Sequence, residues 1–87
     1  MNAIEITDAN KNNDNIKDLF DISNNVYTLK SLGGNNVLKT FSIDISNTVV
    51  IGNNAFNGFT NLTKVTLGNS VITIGEGAFR YCSSLPS

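Results

Sequence analysis

A stretch of six residues, Ile-Gly-Asn-Asn-Ala-Phe at positions 51–56, returns as Ile-Gly-Glu-Gly-Ala-Phe at positions 74–79 and decides the fold. The shift that relates these two copies also carries Leu62 onto Leu85. Its length falls inside the period of about 20–29 residues that is typical of repeat proteins in which each unit supplies one strand and cannot bury its apolar face alone. The sequence therefore predicts stacked turns that share one core, with the two phenylalanines as equivalent core residues.

A strand is predicted between the two copies. Residues 62–67 read Leu-Thr-Lys-Val-Thr-Leu, so polar and apolar side chains alternate from Lys64 onward. Alternation with a period of two residues indicates a strand with one buried face, which turns Val65 and Leu67 inward and the polar residues outward. The same spacing occurs about one period upstream, where residues 38–43 read Leu-Lys-Thr-Phe-Ser-Ile.

Fainter echoes lie in the first half of the chain. A Phe-x-Ile pattern at Phe20 precedes the one at Phe41 by a slightly shorter step and is interpreted as an earlier strand of the series. An Ile-x-Ile pattern at Ile4 is interpreted as the opening of the series. Residues 15–22 leave two alternatives, because their apolar positions also fit one face of a helix, and the interpretation leans to strand.

A turn is predicted at residues 33–36, Gly-Gly-Asn-Asn, because both residue types tolerate positive φ. It separates residues 1–34, expected to be degenerate repeats or an N-terminal cap, from residues 35–87, expected to be regular repeats. The last repeat is expected to be truncated, since the sequence stops where Leu85 would open the next strand.

The second half of the chain resembles the BspA-type leucine-rich repeat, whose pattern is I-G-x-x-A-F-x-x-C-x-x-L-x-x-V-x-L followed by S-V-x-x-I-G. The residues that carry the resemblance are Ile51, Gly52, Ala55, Phe56, Leu62, Val65, Leu67, Ser70, Val71, Ile74, Gly75, Ala78, Phe79, Cys82 and Leu85. Two positions depart from the pattern. Phe59 stands where the next repeat has cysteine, and Gly68 stands where the family often has proline.

This resemblance implies an α/β, mostly β fold, namely a right-handed leucine-rich-repeat solenoid. Its parallel sheet would lie on the concave side, with short turns or extended pieces on the convex side. Family members mostly act by binding, often as surface or adhesion proteins of microbes, so the resemblance implies a non-enzymatic protein-protein interaction module. It also makes the cell surface a candidate location.

Composition excludes several classes of function. The chain has 87 residues with a formal net charge of −1, and its six lysines and arginines are scattered, so it offers no basic stripe for nucleic acid. We expect no membrane span, because no run of about 18 apolar residues occurs, and the first residues lack the pattern of a signal peptide. The absence of histidine excludes Ser-His dyads and His-based zinc sites. No catalytic residue, cofactor or metal ion is predicted.

Three motifs imitate functional sites. Residues 8–14 begin like a calcium loop, but Asn13 and Leu19 stand where its sixth and twelfth positions need Gly and Glu, which favours a solvated Asn-rich loop. Residues 75–77, Gly-Glu-Gly, lack the third glycine and the lysine of a phosphate loop and are interpreted as a structural turn. Cys82 occupies a position that phenylalanine fills one repeat earlier, so it is interpreted as a core residue and not a nucleophile.

The candidate binding residues are the variable, outward side chains of the predicted strands on the concave side. They are Thr40, Ser42, Lys64 and Thr66. The functional interpretation is a polar surface for another protein or a glycan, and the alternative is a merely soluble face. The preferred partner is another protein.

Two further interpretations concern the last repeat. The alternative function is a structural fragment or capping segment of a longer repeat protein, with no ligand of its own. Self-association through the open C-terminal repeat is also expected, because Ala78, Phe79, Cys82 and Leu85 belong to a final unit that no later turn covers.

Overall fold

The structure is a computed structural model that describes residues 2–86. The described chain is mostly β, with strands and a single short helix. They are β1 (Ala3–Thr7), α1 (Asp14–Lys17), β2 (Phe20–Ser23), β3 (Val26–Leu29), β4 (Thr40–Asp44), β5 (Val49–Ile51), β6 (Lys64–Leu67) and β7 (Val71–Ile74). Met1 and Ser87, the outer limits of the two expected regions, lie outside the described residues.

One sheet has three strands in the order β1-β4-β6, and both pairings are parallel. Ile4 lies beside Phe41, and Phe41 lies beside Val65. The prediction that an Ile-x-Ile pattern at Ile4 opens the series is confirmed. The predicted alternation of β6 is also confirmed, since Val65 and Leu67 pack against the core while Lys64 and its polar neighbour on the same face are exposed.

The second sheet has four strands in the order β2-β3-β5-β7. Its last three strands are parallel, and they place Leu29 beside Ile51 and Ile51 beside Ile74. The repeated Ile-Gly stretch therefore begins at the end of a strand in each turn. The resemblance implied short turns or extended pieces between the strands of the first sheet. In the structure the extended pieces β3, β5 and β7 pair with one another in this second sheet.

The interpretation of Phe20 as an earlier member of the β4 and β6 series is wrong. Strand β2 pairs antiparallel with β3, in the other sheet, and Phe20 lies beside Leu29. The physical reason is the turn at Asn24 and Asn25, whose φ angles of 52° and 64° reverse the chain and fold β2 back on β3. Residues 15–22 contain both alternatives, since the helical turn of α1 precedes the strand.

The core lies between the two sheets and takes side chains from both. Its buried residues are Ile6, Phe20, Tyr27, Leu29, Leu38, Phe41, Ile43, Ile45, Val49, Ile51, Ala55, Phe56, Phe59, Leu62 and Ala78. Phe56 lies at its centre, with its ring stacked on that of Phe79 at 5.3 Å between centroids and 8° between planes. The prediction that these two phenylalanines are stacked equivalents is confirmed, although Phe79 is only partly buried and packs against the core from its edge.

Close contact between successive turns explains why the repeated stretch carries glycine after isoleucine. The Gly75 N–H donates to the Ile51 carbonyl at 2.7 Å, and the Gly52 N–H donates to the Leu29 carbonyl at 3.0 Å. A Cβ at Gly75 would lie 2.6 Å from the backbone nitrogen of Asn53, and a Cβ at Gly52 would overlap the carbonyl oxygen that its own N–H contacts. Only glycine lets the turns approach this closely.

Side chains at the corners also bond back to the turn before. The Thr63 hydroxyl donates to the Lys39 carbonyl at 3.1 Å, the Ser70 hydroxyl to the Ile45 carbonyl at 2.8 Å, and the Ser84 hydroxyl to the Thr60 carbonyl at 2.6 Å. These three bonds span 24 or 25 residues, about one repeat. Polar residues in the loops therefore stabilise the packing of each repeat on the repeat before it, in addition to the local structure of the loops.

Candidate binding face

The three-stranded sheet brings the four predicted binding residues together on its outward face. The parallel register places Thr40 beside Lys64 and Ser42 beside Thr66. Their neighbours in the strands, Phe41 and Ile43, are buried, so the polar residues of β4 point away from the core. Register and burial therefore agree with the orientation that the sequence predicts, while the binding role of these residues stays a prediction.

Sequence reasoning missed two members of this face. Ala3 lies beside Thr40 and Glu5 lies beside Ser42 in the parallel pairing of β1 with β4. The Ile-x-Ile pattern at Ile4 was the available signal, because the residues that flank an inward isoleucine in a strand must point outward. We call the outward residues of the three strands, Ala3, Glu5, Thr40, Ser42, Lys64 and Thr66, the binding face.

A shallow depression of about 380 Å³ lies on this side of the sheet. The residues that line it are Ala3, Ile4, Glu5, Thr40, Phe41, Ser42, Lys64 and Thr66. All six residues of the binding face are among them. The depression is open and combines hydroxyl groups with two charges of opposite sign, so it suits polar contacts with a chain laid across it more than enclosure of a small molecule.

The charges of the binding face have no ion-pair partner among the described residues. Within residues 2–86 the structure forms one ion pair, between Lys11 and Asp8, with 2.8 Å between Nζ and Oδ1. Glu5, Lys64 and the exposed Asp44, which continues the outward series of β4, make no such contact in this part of the chain. Their charges are available to an external partner.

Asp8, the first residue of the calcium-like motif, already makes hydrogen bonds within the chain. Its Oδ1 accepts hydrogen bonds from Lys11 Nζ at 2.8 Å, from the Ser46 N–H at 3.0 Å and from the Ser46 hydroxyl at 3.2 Å. The hydrogen bond from Lys11, and then that from Ser46, hold the pKa of Asp8 below its ordinary value. The carboxylate ties the loop after β1 to the loop after β4.

Cys82 is half-buried and packs against the core. Its Sγ donates to the carbonyl of Phe56 at 3.0 Å, one turn back along the repeat. Burial raises the pKa of the Cys82 thiol, which disfavours the reactive thiolate. These contacts support the interpretation of Cys82 as a core residue.

The remaining candidate motifs have structural roles in the described chain. Gly77 has a φ of 68° and the Glu76 N–H donates to Asn53 Oδ1 at 2.8 Å, so residues 75–77 form a turn held to the preceding one. Among residues 2–86 no group of three or more carboxylate or cysteine side chains is placed to hold a metal ion. No helix in this range is long and apolar enough to cross a membrane.

Comparison with known proteins identifies the repeat. The sequence model of the BspA type leucine rich repeat region, in six copies, matches residues 21–87, which is well over half of the chain. The match begins in β2 and so extends further towards the amino terminus than the resemblance seen in the sequence. No curated protein and no solved structure matches the chain. By this match, and by the stacked parallel strands that the repeat builds, the chain belongs to the BspA-type leucine-rich-repeat family.

Proposed function

We propose that this chain is a non-enzymatic binding module that holds another protein against the binding face. The observation that carries the proposal is the register of β1, β4 and β6, which collects Glu5, Thr40, Ser42, Lys64 and Thr66 into one outward polar surface over an open depression. Hydroxyl groups and unpaired charges are suited to hydrogen bonds with a partner backbone. Membership of a leucine-rich-repeat family supports the same role. We propose adhesion to a surface as one use of such binding.

The proposal includes the shape of the repeat. We infer that the two sheets are the two sides of a right-handed solenoid, with the three-stranded sheet on the concave side. Residues 35–87 would form its regular repeats, and residues 1–34 would serve as degenerate repeats or an N-terminal cap. Support comes from β1 and β3, which lie before Gly34 and extend both sheets in parallel register.

Selection of peptides from a random phage-displayed library on the immobilised chain tests the binding role. Ser42→Arg should abolish binding of the selected peptides, because it places a long side chain at the centre of the binding face. Thr28→Arg is the matched control, since Thr28 is also half-buried and lies on β3, an interior strand of the other sheet. Peptides that lose binding to Thr28→Arg but keep binding to Ser42→Arg would contradict the proposal.

A second candidate is a structural piece of a longer repeat protein with no ligand of its own. It is favoured by one observation, the exposure of the inward residues in the last described turn. Ile51 is 0% exposed whereas Ile74, its counterpart one turn later, is 52% exposed. Phe79 and Leu85 are likewise only partly buried, although their counterparts one repeat earlier are fully buried. Failure of the library to yield any peptide that binds the wild-type chain would favour this candidate.

A further inference from the structure

The binding face has an electrical polarity that runs along its strands. Lys64 lies at the amino end of β6, at the same level as Ala3 and Thr40. The acidic residues lie further along, with Glu5 at the level of Ser42 and Asp44 at the level of Thr7. The other outward residues of the three strands are uncharged, so one end of the face is positive and the other is negative.

The distance between these charges follows from strand geometry. Lys64 and Asp44 are four residue levels apart on adjacent strands, which is about 13 Å along the sheet. Ser42 and Thr66 lie between them and Thr40 lies beside Lys64, so that all three offer hydroxyl groups along this path. An extended polypeptide advances about 3.3 Å per residue and presents every second side chain to the same side, so its residues i and i+4 match this spacing.

Other charges do not mask this polarity. Asp8 and Lys11, which follow β1 at the acidic end, neutralise each other as an ion pair. Glu5, Asp44 and Lys64 have no ion-pair partner within residues 2–86. A partner with charges in the complementary order would therefore gain contacts without breaking any that the chain already makes.

We propose that the binding face takes an extended polypeptide segment with one acidic and one basic side chain four residues apart. Its acidic group lies at Lys64 and its basic group lies between Glu5 and Asp44. Its backbone and small polar side chains take hydrogen bonds from the hydroxyl groups of Thr40, Ser42 and Thr66. This inference rests on the proposed function and adds the chemistry of the segment that is bound.

Titration of the ¹⁵N-labelled chain with designed peptides, followed by NMR chemical shifts, tests it. The probe is acetyl-GETVTKG-amide, in which glutamate and lysine are four residues apart. The comparison peptides replace both charges by glutamine, or place glutamate at both positions. We expect shifts at the amides of Thr40, Ser42, Lys64 and Thr66, and a dissociation constant about three- to fivefold lower for the probe than for either comparison peptide.

Charge substitutions in the chain itself, with the peptide unchanged, test the same polarity. Lys64→Glu should weaken binding of the probe about three- to fivefold. The double variant Lys64→Glu/Asp44→Lys should restore most of the affinity, because the peptide then binds turned end for end. Lys30→Glu is the matched control, since Lys30 is exposed and follows β3 in the other sheet, and it should leave binding unchanged.

Two outcomes overturn the inference in distinguishable ways. Shifts confined to the binding face with equal affinity for all three peptides would contradict the polarity while the proposed function stands. Shifts that avoid the binding face with every peptide would contradict both the polarity and the proposed function.

Discussion

Two positions in the repeat keep a left-handed backbone whatever residue occupies them. Asn54 has a φ of 61°, and Gly77, its counterpart in the next repeat, has a φ of 68°. Gly58 has a φ of 84°, and Tyr81, again its counterpart in the next repeat, has a φ of 63°. Asparagine and glycine tolerate this region, whereas a bulky residue is strained there. The conformation at Tyr81 is therefore imposed by the packing of the turn and not by the residue itself.

Replacement of this tyrosine should stabilise the protein. Tyr81 is 71% exposed, so its side chain contributes little packing to offset the strain. We expect Tyr81→Asn to raise the free energy of unfolding by about 0.5–1 kcal/mol, because asparagine adopts positive φ at lower cost. Urea denaturation of both proteins measures this difference in the free energy of unfolding. A loss of stability on this substitution would show that the exposed ring makes contacts that outweigh the backbone strain.

Phe56 should be the most sensitive aromatic residue of the core. It is 0% exposed and its ring contacts those of Phe41, Phe59 and Phe79. We expect Phe56→Ala to lower the free energy of unfolding by about 3–5 kcal/mol, which combines lost burial with the cavity left behind. Phe79→Ala is the matched comparison and should cost less, since Phe79 is only partly buried. Equal losses in urea denaturation would contradict the central position of Phe56.

At the scale of elements, the two loops that leave the three-stranded sheet at its carboxyl end are joined through one carboxylate. Asp8 follows β1, and its partner Ser46 follows β4. Lys11 holds the same carboxylate and also donates to Asn47 Oδ1 at 2.5 Å. These loops are largely exposed, and the carboxylate of Asp8 is a side-chain contact that joins them beyond the end of the β1–β4 pairing.

The contact should make stability depend on pH. The pKa of Asp8 is lowered in the folded chain, so the folded state binds a proton less readily than the unfolded state. The stabilisation is therefore present above the unfolded pKa of about 4 and is lost as the pH falls through the folded pKa. We expect the urea midpoint to fall between pH 6 and pH 3, and to fall less in Asp8→Asn. An equal fall in both proteins would contradict a role for this carboxylate.

At the scale of the whole molecule, the two ends of the stack differ. At the β1 end the inward Ile6 is fully buried, and Ile16 and Leu19 pack against the core. In the turn that contains β7, exposed apolar side chains are Ile72 at 68%, Ile74 at 52% and Tyr81 at 71%. An exposed strand edge with apolar residues favours pairing with another chain.

The chain by itself is therefore expected to self-associate through β7. Sedimentation velocity from low to high micromolar concentration should show an increasing mass. Ile74→Lys should keep the chain monomeric, because it places a charge in the apolar edge. Val37→Lys is the matched control, since Val37 is also 52% exposed but lies outside the last turn, and it should leave the association unchanged. A wild-type chain that stays monomeric throughout would contradict the expectation.

Local pattern was sufficient to predict the repeat and much of the binding face. The shift from Ile51 to Ile74 predicted the equivalence of Phe56 and Phe79, because the period of a repeat appears directly in the order of its residues. Alternation predicted that Val65 packs inward and that Lys64 points outward, because a strand side chain can face only one of two sides.

Only the tertiary structure decided how the first third of the chain joins the stack. Strand β1 pairs with β4 although Ile4 and Phe41 are separated by far more than one period, because the helical turn and the β2–β3 hairpin lie between them and lengthen the first turn. Phe20 fits the sequence series better by spacing, yet it belongs to the other sheet. The Ile-x-Ile pattern at Ile4 did indicate a strand of the series, but only the pairing of β1 with β4 places Ala3 beside Thr40 and Glu5 beside Ser42 on the binding face. Two strands pair when their edges come together in the folded chain. The number of residues between the strands does not determine which edges come together, because loops of very different length can connect them.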